Sequence, residues 1–197
     1  MPNLAWPSII NPMQLDWRLK KSGAQFQGYY TSSLQAVLYL GEYWDINIVL
    51  PGEGRLLRKA GVVDSLLMQL SGGVTKVDVY HWARPIPKGT LRGSPTLQDA
   101  TVRGDSSLVL TVAAGSTLEP GDLIGVGTQL FMVKSYCAAV GTTLTVPVLN
   151  RVRGVIAGAT AVVWDRPKVG VVAPELSAGT VYGPGQRGPA ELHLMEP

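Results

Sequence analysis

Trp44, Ile46, Ile48 and Leu50 alternate with Asp45, Asn47 and Val49, the cleanest two-residue period in the chain. The pattern predicts a half-buried strand that ends at Pro51-Gly52. Leu15, Trp17 and Leu19 alternate with Asp16, Arg18 and Lys20 and predict a second strand of the same kind, while 25–40 reads as a hairpin region. The period then changes. Leu56, Ala60, Val63, Leu67 and Leu70 recur at steps of three and four, which places them on one face of a helix. Gly61 interrupts that helix at a cost of about 1 kcal/mol relative to alanine, so close packing against a sheet is expected there. Ser71-Gly72-Gly73 supplies the stop. Val77 and Val79 against Lys76, Asp78 and Tyr80 return to strand spacing.

Upstream of these elements, Pro2, Pro7 and Pro12 rule out a long helix and predict an extended arm with Trp6 as its anchor. Downstream, 83–95 is rich in proline and glycine and reads as a connector. Short strands follow around Leu108, Leu110 and Val112, around 130–135, at Leu144 and Val146, and at Ala161 and Val163. A Pro120-Gly121-Asp122 turn and the glycines at 125 and 127 punctuate them. Spacing of this kind predicts a small β-barrel or sandwich. The expected organisation is mainly β. A β-rich unit with one helix, barrel-like or α+β, spans 1–95, and a small β-domain is inserted at 96–165. A return segment, 166–197, completes the first unit through Val169, Val171, Leu192 and Leu194.

Composition sharpens this picture. Only 16% of the 197 residues are charged, against roughly 25% in an average soluble domain. A surface so poor in charge is badly protected against association, and contacts between copies would cover it. The net charge of +3 is small and its carriers are scattered, with Arg55, Arg58 and Lys59 on the expected helix and Arg151 and Arg153 further on. Nucleic-acid binding asks for a denser basic stripe. One cysteine, Cys137, excludes an internal disulfide framework and fits a reducing compartment. No charged opening followed by an apolar stretch and no run of 18 apolar residues is present, so neither a signal peptide nor membrane insertion is expected.

Chemistry is sparse. His81 and His193 lie apart in the sequence, without a G-x-S-x-G nucleophile or an H-x-x-x-H metal pair. Asp99 with Asp105, or Glu119 with Asp122, could form the carboxylate pair of a glycosidase, but both pairs flank turns, where acids cap backbone donors. The glycines at 121, 125 and 127 lack the lysine and the helix of a phosphate loop. No catalytic residue, metal or cofactor is expected. The aromatic residues are the better candidates. Trp6, Trp17, Tyr29, Tyr30 and Trp44, with Arg55 and Arg58, are candidate contacts between subunits, and Tyr80 and Trp82 are candidate contacts to a glycan or partner.

Taken in order along the chain, several short motifs resemble the distal tail (baseplate hub) proteins of tailed bacteriophages. They are Trp6-Pro7-Ser8 with Asn11-Pro12, Gln35, Gly41 before Trp44, and Tyr80, followed by Ala83-Arg84-Pro85-Ile86-Pro87-Lys88-Gly89. The inserted unit adds Leu118, Pro120-Gly121-Asp122-Leu123, Val126-Gly127, Met132-Val133, Leu144-Thr145-Val146, Pro147, Leu149 and Arg151. The chain departs from that pattern at Tyr29-Tyr30-Thr31-Ser32, at the single Pro51, and in the short Gly/Pro-rich segment past 175. The resemblance implies a non-enzymatic virion component, made in the bacterial cytoplasm and placed in the tail. It would form a homo-hexameric ring joining the tail tube protein to the central tip proteins, with tail fibres as further partners. The alternative is a carbohydrate- or receptor-binding module at the tail tip.

Overall fold

A computed structural model of the chain describes residues 3–27, 34–39, 41–52, 60–175, 182–183 and 186–197. The first elements are β1 (Leu4–Ala5), β2 (Gln14–Lys20), β3 (Gly23–Gln27), β4 (Leu34–Leu38), β5 (Tyr43–Leu50), helix α1 (Ala60–Leu70) and β6 (Val77–Tyr80). Then come β7 (Thr96–Leu97), β8 (Ser107–Thr111), β9 (Thr117–Leu118), β10 (Leu123–Val126), β11 (Gln129–Met132), β12 (Cys137–Ala138), β13 (Thr143–Pro147) and β14 (Val162–Val163). The last are β15 (Lys168–Val171), β16 (Tyr182–Gly183), β17 (Gln186–Arg187) and β18 (Ala190–Met195). The fold is mainly β, with one helix among the described residues. Its strands form sheets of two or three, and no ladder closes into a barrel among those residues.

Two compact units divide the chain: 1–18 with 44–83 and 168–197, and 19–43 with 84–167. These borders differ from the expected ones at 95/96 and 165/166, and the hairpin region groups with the second unit.

In the first unit, β5 lies between β18 and β2, and its alternation is realised as drawn from the sequence: Trp44, Ile46, Ile48 and Leu50 are buried. Antiparallel β18 adds Leu192 and Leu194 to the same side. The second sheet sets β6 between parallel β1 and antiparallel β15, burying Val77, Val79, Val169 and Val171. A bridge between Val172 and Met195, with both hydrogen bonds at 2.9 Å, stitches the two sheets together. Glu196 locks the chain end by accepting from Trp44 N at 3.2 Å and donating its own N–H to Trp44 O at 2.9 Å. Helix α1 buries Ala60, Val63, Leu66, Leu67 and Leu70, and it stops where Gly72 and Gly73 take positive φ. Gly61 corrects the sequence reading. A methyl group built on it would meet nothing within 4 Å, so it faces open space rather than a packed sheet. Leu56, Arg55, Arg58 and Lys59 lie outside the described residues.

In the second unit, two three-stranded sheets, β13–β8–β7 and β11–β10–β14, share one core of leucine, valine and isoleucine around Phe131. Isolated bridges at Thr96–Ala161 and Val133–Val148 join strands of the two sheets where continuous ladders would be needed for a closed barrel. The connector 84–95 is built into this unit. Leu91 N donates to Thr117 O, Arg166 N donates to Pro85 O, and the Arg92 guanidinium reaches the carbonyls of Pro87, Gly89 and Leu91 while resting on the Trp164 ring. Such anchoring explains why the border falls at 83/84 rather than after the last proline.

Candidate functional site

The acids with the strongest local claim to chemistry turn out to hold backbone. Asp122, 5% exposed, accepts from Lys88 N at 2.8 Å, Gly89 N at 3.1 Å and Glu119 N at 2.8 Å. Asp105 accepts from Val102 N at 2.8 Å. Glu42, absent from the sequence-based candidates, is buried and accepts from Arg151 N at 2.7 Å, with Lys21 Nζ at 3.5 Å. In each case the carboxylate organises a turn or a loop junction, where a charged acceptor makes hydrogen bonds stronger than neutral ones.

His193 does find a carboxylate. Its Nε2 lies 2.5 Å from Oδ1 of Asp45, which is 4% exposed. The pair borders a cleft of about 350 Å³ over the polar face of the β18–β5–β2 sheet, lined by Gln14, Asp16, Asn47, Glu175, Glu191 and His193 among others. Two-residue alternation puts these polar groups on one side and Ile46, Ile48 and Leu192 beneath. Among the described residues no serine, cysteine or threonine lines it, so none of them offers His193 a nucleophile to activate there. Glu175 and Glu191 are exposed, whereas the acid of a glycosidase pair is enclosed by apolar surface. Asp16 is engaged by Arg18, whose pKa rises through that hydrogen bond and then through the Asp16 charge. Among the described residues no group of three or more histidines, cysteines or acids is placed to hold a metal ion. His81 sits apart from His193's cleft, its ring 5.1 Å from that of Trp17.

The aromatic candidates separate into three groups. Trp44 is 1% exposed and meets Trp17 edge-on at 5.9 Å, so it is core and has no surface to offer a second copy, contrary to the sequence reading. Trp17 is half-buried against it. Trp6, Tyr80 and Trp82 form a contiguous half-buried cluster, with Trp82 at 5.0 Å from each of the other two rings. Tyr29 and Tyr30 lie outside the described residues.

The least protected apolar surface is the β3–β4 hairpin. Among the described residues its strands pair only with each other, in register from Gly23–Leu38 to Gln27–Leu34. Phe26 is 59% exposed, Leu34 64%, Val37 50% and Tyr39 57%. None of 23–27 or 34–39 carries a charge. Edge strands of a solitary protein are normally guarded by charge, proline or a covering element, and a bare two-stranded ribbon is marginal in water. The sequence signal was available: neither Gly23–Gln27 nor Leu34–Leu38 carries a charge on either face.

Among the described residues no helix is long and apolar enough to cross a membrane. No model of a known protein family matches the chain, and no curated protein matches it.

Proposed function

We propose that this chain is a non-enzymatic structural protein that works as a closed ring of identical copies, in the virion tail of a bacteriophage. There it would join the tail tube to the tail tip, as the resemblance of its motifs implies. The observation that carries the assembly reading is the β3–β4 hairpin, with two edges open among the described residues, four large exposed apolar side chains and no charge. An isologous or ring contact between copies covers such a surface without a second gene product. The low charge content supports the same reading. The tail tube protein, central tip proteins and tail fibres are the partners this role calls for. Among the described residues the polar cleft at His193 has no nucleophile, and its one buried acid, Asp45, is engaged by His193, which favours architecture over catalysis.

The test uses positions where folding and assembly come apart. Phe26 and Val37 are more than half exposed in the single copy, so Phe26→Lys and Val37→Lys should change folding stability by less than about 0.5 kcal/mol. Covered by another copy, the exposed half of each side chain contributes about 0.7–1.5 kcal/mol to association. Native mass spectrometry and sedimentation should show a ring for the parent chain and monomer for the double variant, with equal melting temperatures. A parent chain that stays monomeric at high micromolar concentration, and is missing from purified tails, refutes the proposal.

A further inference from the structure

The Trp6–Tyr80–Trp82 cluster has a setting that packing alone does not call for. On the β1–β6–β15 sheet, Val77, Val79, Val169 and Val171 are buried on one face, so Asp78 and Tyr80 belong to the opposite, outward face. Cross-strand register puts Gly170 opposite Asp78 and Lys168 opposite Tyr80. The Asn3 side chain lies over Gly170, where a Cβ would come within 2.8 Å of its Nδ2, and that same nitrogen donates to Asp78 Oδ1 at 2.5 Å. A missing side chain at 170 therefore seats an amide–carboxylate pair on the face that carries Tyr80. Just beyond the strand, Trp82 meets Tyr80 at 36° and Trp6 at 68°, and all three rings keep part of their surface in solvent. Trp6 is itself fixed, its Nε1 donating to Ile10 O at 2.8 Å.

We propose that this face binds a neutral saccharide. A sugar ring presents C–H groups on one face and hydroxyls around its rim. Half-exposed indole and phenol rings match the first, and a fixed carboxylate with a neighbouring amide matches the second. The Asn3–Asp78 bond leaves the other carboxylate oxygen and the amide oxygen as acceptors aligned by each other. Lys168, across from Tyr80, balances the Asp78 charge, which makes the neutral class the fitting one. The proposal does not depend on ring formation, since every residue named belongs to one compact unit of one copy.

The full-length chain is applied to an immobilised panel of neutral hexose and N-acetylhexosamine oligosaccharides, and hits are titrated by tryptophan fluorescence. Binding should fall at least tenfold in Trp82→Ala and severalfold in Asp78→Asn, each checked for an unchanged melting temperature. Because Trp82→Ala removes packing around Trp6, Tyr80→Phe serves as the gentler variant, expected to fold as the parent and bind more weakly. Binding should persist in Val37→Lys, which separates this face from the hairpin. A panel without hits overturns the proposal, as does equal binding by folded Trp82→Ala. Protection of 78–82 from hydrogen exchange that grows with protein concentration instead assigns the face to a second copy and overturns it too.

Discussion

Replacing Asp122 by alanine should uncouple the 84–95 loop from the second unit. The structure lets the size of the effect be worked out bond by bond. Oδ2 accepts from Gly89 N and Glu119 N, and Oδ1 from Lys88 N. Gly89 is buried, so its N–H cannot turn to water once the acceptor is gone, a loss of about 1–3 kcal/mol. The part-buried donors of Lys88 and Glu119 recover solvent and contribute about 0.5–1 kcal/mol each. Nor can the backbone shift inward to compensate, since even a Cβ on Gly89 would sit 2.6 Å from Leu118 Cα. Asp122→Ala should therefore cost about 2–5 kcal/mol. Asp122→Asn, which keeps one oxygen for the two-donor side and turns its amide toward Lys88 N, should cost about half as much. Urea denaturation followed by Trp164, whose indole donates to Gly93 O within this loop, reports the change, and exchange of the Lys88 and Gly89 amides localises it. If Asp122→Ala unfolds within about 0.5 kcal/mol of the parent, the carboxylate is not the organiser of the loop and the reasoning fails.

Gly61→Ala should stabilise the chain by about 1 kcal/mol, because the new methyl group meets nothing and the helix gains propensity, and a rise in melting temperature checks it. Cys137 is half-buried, and burial raises its thiol pKa, only partly offset by a backbone hydrogen bond from Leu118. The folded state therefore holds its proton to higher pH than the unfolded chain. Its contribution to stability is full below the unfolded pKa and is lost as pH rises through the folded one. Alkylation by iodoacetamide near pH 8.5 should be slower in the folded protein than in urea, with the gap closing as pH rises.

Alternation was the part of this fold written most plainly in the sequence. Trp44–Leu50, Leu108–Leu110, Leu144–Val146 and Leu192–Leu194 each have one face against a core, so a period of two survives in the residue types. Elsewhere that signal vanishes for a physical reason. All four residues of Leu123–Val126 are buried, and Gln129, Leu130 and Phe131 are buried in succession, so no polar face remains to mark the strand. Gln129 endures there because its amide donates to Arg151 O and accepts from Arg153 N. Asn150 likewise donates to Leu130 O and accepts from Met132 N, a buried pairing that composition does not disclose. At Val162–Val163 the expected face was inverted: Val162 is buried and Val163 exposed. Gly61 was misread because a helix-breaking residue has two readings, tight packing or tolerance on an open face, and only the surrounding space decides between them.

Trp44 looked like an interface anchor because tryptophan is rich at interfaces, yet its place at the start of a fully alternating strand already assigned it to the core. The stronger signal was a local absence of charge. Several strands that face water on one side in this chain carry charge there: Asp16, Arg18 and Lys20 on β2, Asp78 on β6, and Glu191 on β18. The hairpin from Gly23 carries none, although both its faces are open. Strands β8 and β13 also face water without charge, but they present serine and threonine there, whereas the hairpin presents Phe26, Leu34 and Val37, a ribbon that invites aggregation unless something covers it. That contrast, internal to the chain and independent of any relative, is the firmest reason to look for the function in assembly.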